Sequence, residues 1–168
     1  NFGIVYGLSA FGLSRQLKIY PKEAKKFIDQ YFALYKKVKV YMEKTVAEAK
    51  EVGYTQTMMN RKRYLPDLKS QNRQLREAAG RVAINSPVQG SAADLIKLAM
   101  IRLAQKIRKK KLKSRMILQV HDELVFECPE EEEQEMRALV KKEMEGVVAL
   151  KVPLVVDMGW GKNWNTAH

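Results

Sequence analysis

The sequence predicts an α+β fold, with a helical first part and a second part in which helices back an antiparallel sheet. Apolar side chains recur at three- and four-residue steps over residues 22–50, which indicates helix. Two β-prone runs flank a short polar turn within residues 115–128, which indicates a strand pair. The chain has 168 residues, enough for one domain with a core or for two small subdomains.

The first part is predicted to contain helices interrupted by one hairpin. Pro21 suits a first helical position, and residues 22–50 then form one helix or two. Residues 54–65 predict a basic hairpin whose turn contains Asn60, a residue that tolerates positive φ. A separate helix is expected over residues 74–84.

The second part is predicted to run helix, hairpin, helix, strand. Ser91 and Asp94 resemble a capping box, which would start a new helix before the hairpin at residues 115–128. Four consecutive glutamates, residues 130–133, favour the start of a further helix. Residues 152–157 are predicted to form a strand. The apolar stripe expected on the first of these helices is Ala92, Leu95, Ile96, Ala99, Met100, Leu103 and Ile107.

The charge of the chain is strongly basic and unevenly distributed. Lys and Arg total 31 against 19 Asp and Glu, a net charge of +12. Residues 1–128 contain 26 basic and 11 acidic side chains, whereas residues 129–168 contain 5 and 8. One interpretation of this charge is a highly charged, soluble surface like that of proteins from thermophiles. A polyanionic partner is the interpretation we favour, because charge excess by itself does not produce the motifs described below.

The single cysteine, Cys128, indicates a reducing compartment, and we expect a cytoplasmic location. We expect a buried structural thiol there, since Cys128 ends an apolar strand. No apolar run approaches the length of a membrane span, so no membrane partner is expected. The chain begins inside a patterned segment without Met and has no signal peptide, so we expect a fragment or one piece of a longer polypeptide.

The polar triplet His121-Asp122-Glu123 lies at the predicted tip of the second hairpin. Carboxylates held at a rigid turn suit a hard cation such as Mg²⁺, which leaves its remaining positions to water and phosphates. Ordinary turn acids are the alternative for an isolated hairpin.

Four motifs that occur in order connect this chain to one family. They are NFGIVYG at residues 1–7, RKRYLPD at 61–67, RVAINSPVQGSAAD at 81–94 and QVHDE at 119–123. On these motifs the chain resembles the C-terminal part of family A DNA polymerases, of the bacterial DNA polymerase I type. The resemblance implies template-directed DNA synthesis, in replication or repair, with primer–template DNA and a deoxynucleoside triphosphate as partners.

The resemblance implies a role for each motif residue. Asp122 matches a catalytic, metal-binding aspartate that works with two Mg²⁺ ions, and Glu123 matches an adjacent catalytic acid. Residues that match DNA-binding positions are Arg61, Lys62, Arg63, Arg81, Asn85, Gln89 and His121. Residues that match nucleotide-binding positions in the fingers helix are Phe2 and Tyr6. Each assignment has a competing interpretation. The aromatic pair could pack in a core, the Asn and Gln side chains could cap helices or bond loops, and the hairpin cations could lie on a solvated turn.

The resemblance also implies a division into a fingers part, residues 1–85, and a palm part, residues 86–168. The second carboxylate ligand and the residues that grip triphosphate lie upstream in this family and are absent here. We therefore expect the chain to be inactive by itself and to need an upstream polymerase segment, in the same or a second chain. A non-catalytic duplex-binding module and a single-subunit RNA polymerase are the alternatives.

Overall fold

The computed structural model describes residues 2–167, and of Phe2 the backbone only. The chain divides into two compact units, Asn1–Ser91 and Ala92–His168. The helices are α1 (Phe2–Val5), α2 (Ala10–Leu17), α3 (Pro21–Leu34), α4 (Lys36–Val52), α5 (Arg73–Lys110), α6 (Glu133–Glu145) and α7 (Trp164–Ala167). The strands are β1 (Tyr54–Gln56), β2 (Lys62–Tyr64), β3 (Arg115–Val120) and β4 (Glu123–Glu127). Short 3₁₀ turns span Pro66–Lys69 and Glu130–Glu132.

In the first unit, α1, α2 and α3 share a small core. The Ser9 hydroxyl caps α2 by accepting from the Gly12 amide at 3.1 Å. Ile4, Leu13 and Ala24 are the buried residues of this core. The predicted helical segment 22–50 is two helices, which meet at Tyr35, whose φ of −105° and ψ of 56° are not helical.

The predicted hairpin of the first unit is confirmed, and we call β1 with β2 the basic hairpin. The two strands are antiparallel and pair Tyr54 with Tyr64 and Thr55 with Arg63. Asn60 has φ 62°, the left-handed conformation that its type tolerates. A second core holds the hairpin's base, and its buried residues are Ala49, Leu65, Leu68, Ala79 and Ala83.

The hairpin of the second unit is also confirmed, and we call β3 with β4 the acidic-turn hairpin. Antiparallel pairing joins Arg115 to Glu127 and Val120 to Glu123, with an irregularity at Ile117. One face of the hairpin packs with α6 and with residues 92–110 of α5 on a common core. The buried residues of that core are Leu103, Ile107, Met136, Leu139 and Val140. A sheet backed by helices confirms the α+β prediction.

The prediction of two helices separated near Ser91 is wrong, because α5 is continuous from Arg73 to Lys110 and contains Pro87. Pro87 has no amide hydrogen to donate, which normally kinks or ends a helix. Two hydroxyls bond to carbonyl groups four residues earlier: Ser86 donates to Val82 at 2.7 Å and Ser91 donates to Pro87. Ser91 therefore lies inside the helix and is not an N-cap, and Ala92 of the predicted stripe is exposed.

The prediction of a strand over residues 152–157 is also wrong. Burial alternates there, with Leu154 and Val156 half-buried and Val152 and Val155 exposed, as a strand would require. A strand also needs a neighbour, and within residues 2–167 the sheet of this unit contains β3 and β4 only. Pro153 removes one ladder donor as well. The segment is held instead by the Val156 amide, which donates to the Glu145 carboxylate at 3.1 Å.

Residues 2–167 form no helix that is long and apolar enough to cross a lipid bilayer. The boundary between the two compact units falls inside α5, between Ser91 and Ala92. The division into fingers and palm parts stays a prediction.

Candidate functional site

A polar cavity of about 290 Å³ lies between the basic hairpin and α5 in the first unit. Its lining residues are Thr55, Gln56, Thr57, Arg61, Lys62, Arg63, Ser86, Gln89 and Gly90. Four residues that were predicted to bind DNA are thus brought together: the three cations of the hairpin and Gln89. Cations, hydroxyl groups and two side-chain amides around one cavity are suited to an anionic ligand.

The turn of the basic hairpin is fixed by hydroxyl groups. Thr57 Oγ1 accepts from the amides of Met59 and Arg61, each at 3.2 Å. The Met58 amide donates to Ser91 Oγ at 2.9 Å, and Arg61 Nη2 donates to the Gly90 carbonyl at 3.3 Å. These bonds tie the turn to α5 and hold its cations at the mouth of the cavity.

Arg81, Asn85 and Gln89 follow one another at four-residue steps along α5, so they lie along one side of the helix. Arg81 and Gln89 are exposed and Asn85 is half-buried. Asn85 Oδ1 is buried and has no hydrogen-bond partner among the described residues. Three polar side chains in a row can contact successive positions of an extended ligand.

The structure brings Arg81 to the end of α1. Gly7 ends this helix with φ 82°, and a Cβ atom placed on Gly7 would lie 3.0 Å from Arg81 Cγ. Glycine is therefore needed there both for its backbone conformation and for the close approach of Arg81. Tyr6 is half-buried next to this contact, whereas the Phe2 side chain lies outside the described part of the molecule.

The turn of the acidic-turn hairpin presents His121, Asp122 and Glu123, all of them exposed. His121 adopts φ 51°, and Glu123 begins β4 directly opposite Val120. Gln119 Nε2 donates to the His121 carbonyl at 2.9 Å and steadies the turn. Asp122 and Glu123 thus lie at a tight turn at the tip of the hairpin, where the sequence placed them.

Glu132 holds the start of β3 in place. Its carboxylate accepts from the Ser114 hydroxyl at 2.6 Å and from the amides of Ser114 and Lys113 at 2.9 and 2.8 Å. These hydrogen bonds, that of the Ser114 hydroxyl foremost, lower the pKa of Glu132 below its usual value. Cys128 is half-buried rather than buried, with its Sγ 3.1 Å from Ser114 Oγ.

Residues near the C-terminus lie beside the acidic turn, and sequence reasoning gave them no role. Asn163, Trp164 and Asn165 line a cavity of about 600 Å³ together with Glu123 and Val120. The sequence feature that could have indicated this cavity is Trp164, one of the two tryptophans of the chain, which lies in a polar segment near the chain end. Sequence reasoning likewise missed the hydroxyl groups of Thr55 and Ser91, because no pattern links them to the hairpin cations.

The acidic turn fits a hard cation only in part. Asp122 and Glu123 offer exposed carboxylate oxygens, the ligand type that Mg²⁺ prefers. Within residues 2–167, however, no three His, Cys, Asp or Glu side chains are grouped so that they could enclose a metal ion. Among these residues, Asp122 and Glu123 therefore have no third His, Cys, Asp or Glu side chain grouped with them.

Both the sequence and the structure of this chain are similar to those of known proteins. The family model for DNA polymerase family A matches residues 1–166. DNA polymerase I of Caldicellulosiruptor bescii is 57% identical over 164 residues, which are 98% of this chain and 19% of that protein. DNA polymerase I of Bacillus subtilis is 53% identical over 167 residues, 99% of this chain and 19% of that protein.

A solved structure is similar over nearly the whole chain. It is the POL domain of Pol1 from M. smegmatis in complex with DNA primer-template and dNTP, with a TM-score of 0.97 and 51% identity. The match covers 99% of this chain and 29% of that one. The chain thus spans about a fifth of the length of the DNA polymerase I relatives. On this agreement of sequence and structure, the chain belongs to DNA polymerase family A.

Proposed function

We propose that this chain is the C-terminal part of a DNA-directed DNA polymerase. In the proposed reaction, a primer 3′-hydroxyl attacks the α-phosphate of a deoxynucleoside triphosphate, and pyrophosphate leaves. The observation that carries the proposal is an exposed Asp122–Glu123 pair at a tight turn in a chain matched to the family over residues 1–166. The same match favours DNA synthesis over the RNA polymerase alternative.

Asp122 is the residue that we propose holds Mg²⁺, with Glu123 beside it. When bound, the two ions of a site of this kind activate the attacking hydroxyl and neutralise charge on the departing phosphates. The positive-φ backbone at His121 and the bond from Gln119 to the His121 carbonyl define the turn that bears Asp122. Such preorganisation matters because misplacement of a ligating group by about 1 Å is costly to catalysis.

Other residues of the chain bind and orient substrates in this proposal. Arg61, Lys62 and Arg63 neutralise DNA phosphates, and His121 lies near the primer backbone. Arg81, Asn85 and Gln89 donate to minor-groove acceptors, which every correctly paired base presents. Phe2 and Tyr6 contact the incoming nucleotide. The DNA primer-template and dNTP present in the M. smegmatis structure support both partners.

The chain is proposed to act only together with an upstream polymerase segment. One turn with two adjacent carboxylates does not enclose two metal ions, and no third ligand is grouped with them among the described residues. In this proposal, residues 1–85 belong to the fingers and residues 86–168 to the palm. A DNA substrate and a single thiol are consistent with the cytoplasmic location that we propose.

The test is Mg²⁺-dependent primer extension by the chain mixed with the upstream segment of a close relative. We expect extension in the mixture and none by the chain by itself. Asp122→Asn should reduce the extension rate at least about a hundredfold, because a metal ion supplies several kcal/mol of transition-state stabilisation. Binding of primer–template should persist, since the substitution removes no contact to DNA.

Asp157→Asn is the matched control, because Asp157 is an exposed aspartate of the same unit. It should extend primers at the unchanged rate. A mixture that assembles and binds primer–template yet extends nothing would overturn the catalytic proposal and leave a duplex-binding module.

A further inference from the structure

Two adjacent methionines lie exposed at the tip of the basic hairpin. Met58 is 45% exposed and Met59 is 39% exposed, whereas the other six of the chain's eight methionines are half-buried or buried. Those six are Met42, Met100, Met116, Met136, Met144 and Met158. Exposure to solvent therefore distinguishes one pair of methionines from all the others.

The cores of the molecule do not use these two side chains. Three apolar clusters form among the described residues, and neither Met58 nor Met59 belongs to any of them. Four of the shielded methionines, by contrast, pack in the core under the acidic-turn hairpin: Met116, Met136, Met144 and Met158. Turn tips favour Gly, Asn, Asp, Pro and Ser, so turn geometry does not account for two thioethers there either.

The backbone of both residues is fixed by hydrogen bonds that involve no sulfur atom. The Met58 amide donates to Ser91 Oγ at 2.9 Å, and the Met59 amide donates to Thr57 Oγ1 at 3.2 Å. The Asn60 amide closes the turn by donating to the Thr57 carbonyl at 2.9 Å. A chemical change confined to the two sulfurs thus leaves these bonds in place, so the hairpin keeps its shape.

An exposed thioether reacts with peroxides. A sulfur lone pair attacks one oxygen of hydrogen peroxide, the O–O bond breaks, an S–O bond forms, and the departing oxygen takes up a proton and leaves as water. The sulfur is oxidised by two electrons to the sulfoxide, and the peroxide is reduced. Negative charge develops on the departing oxygen, which favours the step here because residues 54–66 contain three cations and no Asp or Glu.

We propose that Met58 and Met59 form a methionine oxidation site, which takes hydrogen peroxide as its oxidant and becomes a pair of sulfoxides while the fold is retained. Sulfoxides are polar and uncharged, so the modification turns the apolar tip of the basic hairpin into a polar one without changing its charge. Because the pair stays exposed, methionine sulfoxide reductases reach it and reverse the change. Neither DNA nor a metal ion takes part, so the site is independent of the proposed function.

The test treats the folded 168-residue chain with hydrogen peroxide and follows each methionine by peptide mapping with mass spectrometry. A thiol added after the peroxide is removed restores Cys128 and leaves sulfoxides in place. The variants are Met58→Leu and Met59→Leu, singly and together, because Leu replaces Met with little change in volume. Met136→Leu is the matched control, since it removes a methionine that is 3% exposed.

We expect Met58 and Met59 to gain one oxygen atom each, at least about tenfold faster than Met136, because oxidation follows exposure. The double variant should lose this fast reaction, whereas Met136→Leu should retain it in full. Circular dichroism and the melting temperature should stay unchanged after the fast reaction, as for other changes at the surface. Methionine sulfoxide reductases for both sulfoxide epimers should then restore the original mass.

The reference is the chain unfolded in guanidinium chloride, in which all eight methionines should react at similar rates. The site is refuted if Met58 and Met59 of the folded chain react no faster than the half-buried Met42 and Met100. Loss of the circular dichroism signal in step with their oxidation would also refute it, because the reaction would then report unfolding. Sulfoxides that the reductases leave untouched would contradict the exposed, reversible site.

Discussion

The basic hairpin and the acidic-turn hairpin have the same plan and opposite chemistry. Each is an antiparallel pair whose turn contains a residue with positive φ, Asn60 in one and His121 in the other. Three consecutive cations follow Asn60, whereas two consecutive carboxylates follow His121. The same local geometry therefore presents either charge, and the turn sequence decides which ligand the hairpin suits.

The two hairpins also differ in what supports them. The turn of the basic hairpin is held by polar bonds and close contact with α5, through Thr57, Gly90 and Ser91. The acidic-turn hairpin packs Met116, Leu124 and Phe126 against an apolar core and is held at its start by Glu132. An apolar core resists deformation, which suits a carboxylate that must keep one direction. Hydroxyl contacts suit a hairpin that also serves as the wall of a polar cavity.

Among the substitutions that test the separate support of the two hairpins, Leu103→Ala should have the largest effect on stability. Leu103 is fully buried in the core under the acidic-turn hairpin, so the substitution should cost about 2–5 kcal/mol of unfolding free energy. Hydrogen exchange should accelerate in β3 and β4 and remain slow in β1 and β2. Ile101→Ala, 55% exposed on the same helix, is the matched control and should change stability by about 0.5 kcal/mol or less. Equal acceleration in both hairpins would show that their supports are not separate.

A smaller effect in the other hairpin should come from Gly90→Ala. The new methyl group would lie 2.6 Å from Thr57 Cγ2, and Thr57 cannot rotate without losing its two turn bonds. Overpacking costs about 1–3 kcal/mol, against a gain of about 1 kcal/mol from replacing glycine in a helix. We expect a net loss of about 1 kcal/mol and faster exchange in the basic hairpin.

Gly80→Ala is the matched control for Gly90→Ala, because both glycines lie in α5 and nothing surrounds a Cβ at Gly80 within 4 Å. It should stabilise the chain by up to about 1 kcal/mol, as measured by denaturant unfolding. If the two variants behaved alike, the close contact between Gly90 and Thr57 would not support the hairpin.

The smallest effect should come from Glu132→Gln and should depend on pH. The pKa of Glu132 is lowered in the folded chain, chiefly by the Ser114 hydroxyl and then by the Lys113 amide. A lowered folded pKa adds stability that is present above the unfolded value, about 4.3, and is lost as pH falls through the folded value. The variant should melt at a lower temperature than the parent at pH 7, and the difference should shrink as the pH falls below the unfolded value and through the lowered folded pKa of Glu132.

Glu130→Gln, at an exposed position two residues earlier, serves as its control and should melt like the parent at pH 7 and in acid. A difference for Glu132→Gln that persists unchanged in acid would mean that the carboxylate charge is not what holds the start of β3.

Prediction from the sequence succeeded where the structure of a short segment depends mainly on the residues within that segment. Both hairpins were predicted because β-prone runs flank a short polar turn, and the helix after the four glutamates was predicted from their negative charge at a helix start. Prediction from the sequence failed where contacts between residues far apart in the chain determine the structure. Ser91 and Asp94 were predicted to start a new helix, but the Ser91 hydroxyl donates to the Pro87 carbonyl within the helix and α5 is continuous through this stretch.

By itself, the sequence determined the fold class, the two hairpin turns and the family, because each depends on local spacing or on ordered motifs. The tertiary structure decided which polar groups meet. Thr55 and Arg63 are eight residues apart and are joined only by strand register, while Gly90 reaches Thr57 because a helix crosses the turn. It also decided that residues 152–157 form no strand, since a strand exists only when a neighbour accepts its hydrogen bonds.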